Sequence, residues 1–236
     1  AGGITQINLL IDTIFASLLK TGSPTWLYVS DRLIQFPMGI FAIAIGTVIL
    51  PMLSQYNSIQ DKDKFKETIS KGQRFVLFIG IPSLIGLFIC SEDLISTIFY
   101  RGAFTSIDVI NSSYSLMAFS IGLPFFMIMK VLTPAFFARK DTKTPMFVAL
   151  ISLISNAFLN YYLAFVLDYG HIGIAIGSSL AAMISVLILE IILYKQGFIK
   201  IKNFFNRFNM MVCVSSLFLI FFLIFYTSQI DFLELT

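Results

Sequence analysis

The sequence predicts an all-α fold, a polytopic bundle of about seven membrane-spanning helices, and three observations carry that reading. Apolar side chains make up 57% of the 236 residues, while Asp, Glu, Lys and Arg together make only 12%, about half the charged share of an ordinary soluble domain. Mean hydropathy is +0.88 and there are 26 Phe; a soluble domain of this size lacks the polar surface to cover so much apolar area. The apolar residues also fall in runs long enough to cross about 30 Å of hydrocarbon, which takes about 20 helical residues. Disorder, a secreted disulfide scaffold and nucleic-acid binding are disfavoured by the same composition.

In chain order the runs lie at about 4–20, 25–53, 75–91, 106–136, 146–167, 173–194 and 208–228. The first carries Asn8 and Asp12 one helical turn apart. The second contains Pro37 and Pro51 with Gly39 and Gly46 between them, positions where a helix kinks because proline removes an amide donor and crowds the preceding turn. Between the second and third, 54–74 reads as a cytoplasmic linker. Its charged stretch Asp61–Arg74 keeps Phe65 and Ile69 on one face, as in a solvated amphipathic helix or one that meets lipid headgroups. After the third run, Ser91 is placed to cap a short interfacial helix with an apolar stripe of Leu94, Ile95, Ile98 and Phe99, and Gly102 is placed to end it. Thr105 and Asp108 then form a capping-box pattern at the start of the fourth run. That run, at about 46 Å if wholly helical, exceeds the hydrocarbon and holds bend points at Pro124 and Pro134. The sixth run opens with Gly173, Gly177 and Ala181, a small-residue ridge for close helix packing.

The cations set an orientation. Lys62, Lys64, Lys66, Lys71 and Arg74, then Arg139, Lys140 and Lys143, then Lys195, Lys200, Lys202 and Arg207 lie in alternate connections, against Lys20 and Arg101 in the others. Positive charge marks the cytoplasmic side, so the N-terminus is expected inside and the C-terminus outside. The opening Ala1-Gly2-Gly3 has no basic segment or cleavage pattern and reads as a piece of a longer protein. Cys90 and Cys213 sit in apolar runs as small buried hydrophobes, and the single His171 has no Cys, His or Glu cluster near it, so metalloenzyme chemistry and a nucleophile–base pair are not expected.

Ionisable groups inside hydrocarbon are costly and therefore informative. Arg32 is the strongest case: helical spacing gathers Tyr28, Arg32 and Gln35 on one face. A guanidinium presents a fork of donors to phosphate or carboxylate and stays charged. The alternatives are an ion pair with Asp31 or a carboxylate of another helix, or snorkelling to the outer interface. Lys130 either snorkels toward the cytoplasm or lines a cavity, and Glu190 pairs with Lys195 or meets water. Asp12 with Asn8, and Asn156 with Asn160, offer hard oxygens suited to Na⁺ or, for Asp12, a proton; interhelical hydrogen bonding is the plainer use of the same groups.

The runs QINLLIDTIFASLL, SDRLIQFPMGIFAIAIGTVILPMLS, FYRGAFTSID and KVLTPAFFARKDTKTP, spread over about residues 3–195, resemble the second half of the MurJ/MviN lipid II flippases, within the multidrug/oligosaccharidyl-lipid/polysaccharide exporter superfamily. The resemblance implies fourteen helices in two lobes plus a C-terminal pair. Residues 1–195 would be the second-lobe bundle, 196–236 would begin the C-terminal pair, and the first lobe would be the missing partner of this one. It implies a bacterial inner-membrane protein that exports lipid II, an undecaprenyl-pyrophosphate-linked precursor, by alternating access. Arg32 matches the cavity arginine of the family's D-R-L-x-E-F-P motif and would grip the pyrophosphate, with Tyr28, Gln35 and Lys130 as further substrate-binding candidates. Gln35 stands where an acidic residue is usual. Some members hold sodium among the helices matching the first, fifth and sixth runs; Asp12, Asn156, Asn160 and Ser178 fit those positions, with an amide at Asn160 where such members have an acid. The rival readings are a drug or ion antiporter of the same superfamily, a membrane-embedded enzyme acting on lipid-linked substrates, and a seven-helix receptor, whose N-terminus would face outward.

Overall fold

The computed structural model describes residues 2–199 and 207–227, and every element in them is helical. The chain runs α1 (Gly2–Ser17), α2 (Ser23–Pro37), a π-helical segment (Met38–Ile43), α3 (Ala44–Ser58), α4 (Lys62–Ile89), α5 (Ser91–Phe99), α6 (Ser106–Phe137), α7 (Lys143–Tyr161), a second π-helical segment (Tyr162–Val166), α8 (Gly170–Lys195) and α9 (Arg207–Thr227). All seven expected runs are helices. Five are long and apolar enough to cross a membrane: 23–58, 62–89, 106–137, 143–166 and 170–195. The 16 residues of α1 make about 24 Å, short of the roughly 30 Å of hydrocarbon, and α9 holds the shorter apolar stretch Val214–Phe225. Lys200, Lys202, residues 228–236 and the side chains of Arg207 and Cys213 lie outside what is described.

The core is built on α6 and α8, which pack against each other and bury most of their apolar length. Leu116, Leu123, Met127, Val131 and Leu132 of α6 and Ile174, Leu189 and Leu193 of α8 are almost wholly enclosed. Around this pair, α4 and α2 pack on α6, and α7 packs on α8. The glycine ridge brings backbones together: a Cβ on Gly173 would come within 2.7 Å of the backbone at Leu163 and Ala164, so α8 meets the second π-helical segment backbone to backbone, as the ridge predicts.

Helices α2 and α6 run parallel. Trp26 Nε1 donates to Asp108 Oδ1 at 2.7 Å, Ser30 Oγ donates to the Ser112 carbonyl at 2.7 Å, and a Cβ on Gly46 would sit 3.3 Å from the Lys130 carbonyl. These contacts keep nearly the same sequence offset along both chains. The shared register fixes which face of α2 is hidden: Trp26, Leu27, Ser30, Ile34 and Pro37 are buried, while Tyr28, Arg32, Gln35 and Phe36 are exposed.

Several local expectations are met and several change. The Thr105–Asp108 capping box forms in both directions, with Asp108 Oδ2 accepting from Thr105 N at 2.8 Å and Thr105 Oγ1 accepting from Asp108 N at 3.4 Å. Pro124 and Pro134 lie inside an unbroken 32-residue α6, but the helix carrying Pro37 passes directly into a π-helical segment, Met38–Ile43, at the expected bend point. Most of 54–74 is helix, as expected for Asp61–Arg74. α3 continues to Ser58, Gln60 turns the chain with φ +58°, and Asp61 caps α4 by accepting from Lys64 N at 3.0 Å. That backbone donor holds the Asp61 carboxyl below the usual range. Phe65 and Ile69 are buried on the inward face of this single long helix. Ser91 is not a cap: Cys90 holds that position, and the Ser91 hydroxyl is buried as the first residue of α5. Glu190 accepts from Gln73 Nε2 at 2.8 Å, so its partner is an amide of α4 rather than Lys195.

Candidate functional site

Two groups of intramembrane polar residues stand out, and they are built differently. The first lies on α2 alone. One helical turn after Tyr28, the Arg32 Cζ sits 4.6 Å from the centre of the Tyr28 ring, and Arg32 Nη1 donates to Gln35 Oε1 at 3.3 Å. Gln35 Nε2 donates in turn to Asp31 Oδ2. The three residues predicted to share a face do so, and the face is exposed because the opposite one is locked to α6 through Trp26 and Ser30. The ion pairs among the described residues, Lys64–Asp61 and Lys71–Glu67, lie on the first turns of α4 and its cap; Arg32 is in neither. A guanidinium supported by a ring face and an amide oxygen keeps most of its donors free for an anion.

Sequence reasoning placed Asp31 only as a salt-bridge alternative for Arg32. The structure makes it the far end of a polar chain, a role the i, i+4 spacing to Gln35 encodes. Lys130 is not brought to this face. It is exposed on α6 at the level of Gly46, and fourteen residues along parallel helices correspond to about 21 Å.

The second group draws on three helices. Asn160 Nδ2 of α7 donates to Asp12 Oδ1 of α1 at 2.6 Å and to Asn156 Oδ1 at 3.2 Å; Asn156 Nδ2 donates to Ser178 Oγ of α8 at 3.0 Å; and Ser178 Oγ donates to Asp12 Oδ2 at 3.4 Å. The four residues named from sequence form a closed hydrogen-bonded ring. Asn156 and Asn160 are 3% and 0% exposed. Gly177 lets them meet, since any Cβ there would fall on Asn160 Oδ1. The buried oxygens Asn160 Oδ1 and Asn8 Oδ1 accept no hydrogen bond. One carboxylate, amide carbonyls and a hydroxyl make an all-oxygen donor set of low charge, which fits a monovalent hard cation better than a divalent one.

Two further polar contacts were not foreseen. His171 packs edge-on against Trp26 at 4.7 Å and its Nε2 lies 3.1 Å from the Asn111 carbonyl, tying the starts of α2, α6 and α8 together. At the other end, Arg139 lies between Phe136 and Phe198, 4.9 and 4.5 Å from their ring centres, and donates to Gln196 Oε1 at 2.6 Å. Burial there pushes its guanidinium pKa down. Both contacts join residues far apart in sequence and leave no periodic signal.

The comparisons with known proteins come out as follows. The sequence model of the family described as "Lipid II flippase MurJ" matches residues 1–234. A protein of Vibrio cholerae named "Probable lipid II flippase MurJ" is 45% identical over 194 residues, covering 82% of this chain and 37% of that protein; one of Haemophilus influenzae with the same name is 41% identical over 192 residues, covering 79% and 37%. The chain therefore spans well under half the length of these relatives. Among solved structures, "Lipid II flippase MurJ, inward closed conformation" superposes with a TM-score of 0.81 at 32% identity, over 97% of this chain and 46% of that one. An outward-facing multidrug resistance MATE family transporter of the MOP superfamily superposes with a TM-score of 0.74 at 15% identity, over 91% and 49%, a likeness of fold alone. The helices that carry both polar groups thus lie within a matched sequence and a matched structure, and the chain belongs to the lipid II flippase MurJ family.

Proposed function

We propose that this chain is the second half of a transporter that moves lipid II, the undecaprenyl-pyrophosphate-linked peptidoglycan precursor, across the bacterial inner membrane by alternating access, with the start of the chain in the cytoplasm. The observation that carries the reading is the exposed Arg32 face of α2, a supported guanidinium in a membrane-spanning helix with no carboxylate in ion-pair contact among the described residues. A saccharide-bearing diphosphate is too polar for hydrocarbon, and Arg32 would offer it charge-assisted hydrogen bonds inside a wet cleft closed by the absent lobe while the polyprenyl chain stays in lipid. A potential negative inside favours outward movement of the anion by about 2.3 kcal/mol per charge per 100 mV. No covalent bond changes in this cycle. Lys130, about 21 Å further in, would meet the substrate only at another stage of the passage.

The test is rescue of cells depleted of their own flippase by the complete protein carrying Arg32→Ala or Arg32→Lys, with lipid II binding measured on the same proteins. Loss of rescue and of binding in the alanine variant is expected. Undiminished rescue would discard the diphosphate grip, and tight binding of apolar cations instead of lipid II would favour a drug or ion antiporter; one more distant neighbour is named a multidrug resistance transporter.

We also propose that the Asp12–Asn156–Asn160–Ser178 ring holds Na⁺, with Asp12 supplying the charge and the amide oxygens completing the shell. The unpaired Asn160 Oδ1 supports this reading. Bound Na⁺ would supply positive charge that draws α1, α7 and α8 together. Thermal stabilisation of the purified full-length protein by Na⁺ but not K⁺, lost in Asp12→Asn, is expected; equal stabilisation by both ions would remove the proposal.

A further inference from the structure

Gln35 stands between opposite charges. Its Oε1 accepts from Arg32 Nη1, and its Nε2 donates to Asp31 Oδ2. We infer that Gln35 is the positioning residue for Arg32, anchoring the guanidinium to Asp31, and that its amide does so without adding a titrating group to this anchorage. The inference rests on the diphosphate-binding reading above and adds to it how the arginine is held.

The argument is one of donor and acceptor counting. The bridge needs one acceptor, facing the guanidinium, and one donor, facing the Asp31 carboxylate. An amide supplies both at any pH. A carboxyl of the same shape supplies both only when protonated; once ionised it accepts only, and it would stand one helical turn from Asp31, where like charges repel. Arg32 would then be drawn between two carboxylates and become less available to an anionic ligand.

The ionisable groups on the elements packed against α2 are few. α1 brings Asp12, with Lys20 beyond the helix end. α6 brings Asp108 at the level of Trp26, Tyr114, and Lys130 about 21 Å inward. α8 brings His171 against Trp26, with Glu190 and Lys195 near its other end. Residues 75–89 of α4 contain no ionisable side chain. All of these are unchanged in the variants below, so affinities are taken as ratios to the unmodified protein at the same pH, and the Asp31→Asn background separates the new carboxyl's own titration from its coupling to Asp31.

The experiment measures equilibrium binding of a polyprenyl diphosphate to the full-length protein in detergent between about pH 5 and about pH 8, the range in which a carboxyl raised by a like neighbour titrates. Gln35→Glu is expected to bind about tenfold more weakly than the unmodified protein at the upper end, as a one-unit shift implies, and to approach it at the lower end. Gln35→Met should be weakened by a similar factor at every pH, because it neither bridges nor titrates. Adding Asp31→Asn to Gln35→Glu should flatten the ratio. Asp31→Asn alone, which keeps an acceptor for Gln35 but removes a negative charge, should bind severalfold more tightly and does not depend on the glutamate variant folding. A flat ratio for Gln35→Glu, a pH dependence that survives Asp31→Asn, or unchanged or weaker binding in Asp31→Asn alone would overturn the inference. Arg32→Ala is read beside them: if it binds as the unmodified protein does, the diphosphate reading itself fails, whereas loss in Arg32→Ala with a flat Gln35→Glu ratio defeats only the positioning role.

Discussion

The Arg32 face and the Asp12 ring are both polar islands in an apolar bundle, yet they differ in nearly every physical respect. The first is a chain of neighbours on one helix, exposed, with partners three or four residues apart. The second is closed and buried, and joins residues 22 to 166 positions apart on three helices. An exposed intrahelical chain can meet a bulky ligand and release it without disturbing the packing. A ring shared among helices can hold only something small, and whatever occupies it is felt by all three helices. Polar groups of the first kind should therefore govern affinity, and those of the second should govern stability and helix arrangement.

The largest expected effect tests the buried side. Gly177→Ala places a methyl on Asn160 Oδ1 and 3.1 Å from the Asn160 backbone nitrogen, so the Asn160 side chain must leave the ring or the two helices must part. Overpacking of this kind costs about 3 kcal/mol or more, read as a fall in the thermal midpoint of the full-length protein. Combining it with Asn160→Ala, which removes the struck amide, should cost less than the sum of the two changes; strict additivity would show that the crowding is against backbone alone. Asn160→Ala by itself takes the donor from Asp12 Oδ1 and from Asn156 Oδ1, leaving each residue only its bond to Ser178, for about 2 kcal/mol.

How much of this could be read in advance follows the same division. Tyr28, Arg32 and Gln35 were legible as a face because helical periodicity alone brings them together, and Asn156 with Asn160 for the same reason. That Asp12 and Ser178 close the ring was legible only through the resemblance, since nothing in local spacing says which helices touch. The helix through Asp61–Arg74 was legible because Phe65 and Ile69 fall on one face; that this face joins the buried stripe of α4 was not, since the charges around it suggested solvent. Glu190 was expected to pair with Lys195 or meet water, and the structure gives it an amide from a helix more than a hundred residues away. Pattern reading recovers contacts within a helix; contacts between helices depend on packing angles that periodicity does not contain.

Trp26→Phe comes next in size and joins the two regions. It keeps the ring against His171 but removes the donor to Asp108, for about 1 kcal/mol. Because that bond helps set the rotation of α2 on α6, diphosphate affinity should fall somewhat as well. A loss of stability with unchanged affinity would mean that Ser30 and the apolar face suffice to aim Arg32.

The smallest stability effect belongs to Arg32→Ala itself. The side chain is exposed, rests on Tyr28 and touches one amide oxygen, so its removal should change the thermal midpoint by the equivalent of less than about 0.5 kcal/mol, the usual range for a surface substitution. Binding of the diphosphate should nevertheless drop by about tenfold or more, since a charge-assisted hydrogen bond contributes about 1.5–3 kcal/mol. The pair of measurements separates recognition from architecture at one residue. A large fall in stability would place Arg32 among the groups that hold the lobes or helices together, and the division between an open binding face and a buried structural ring would then have to be redrawn.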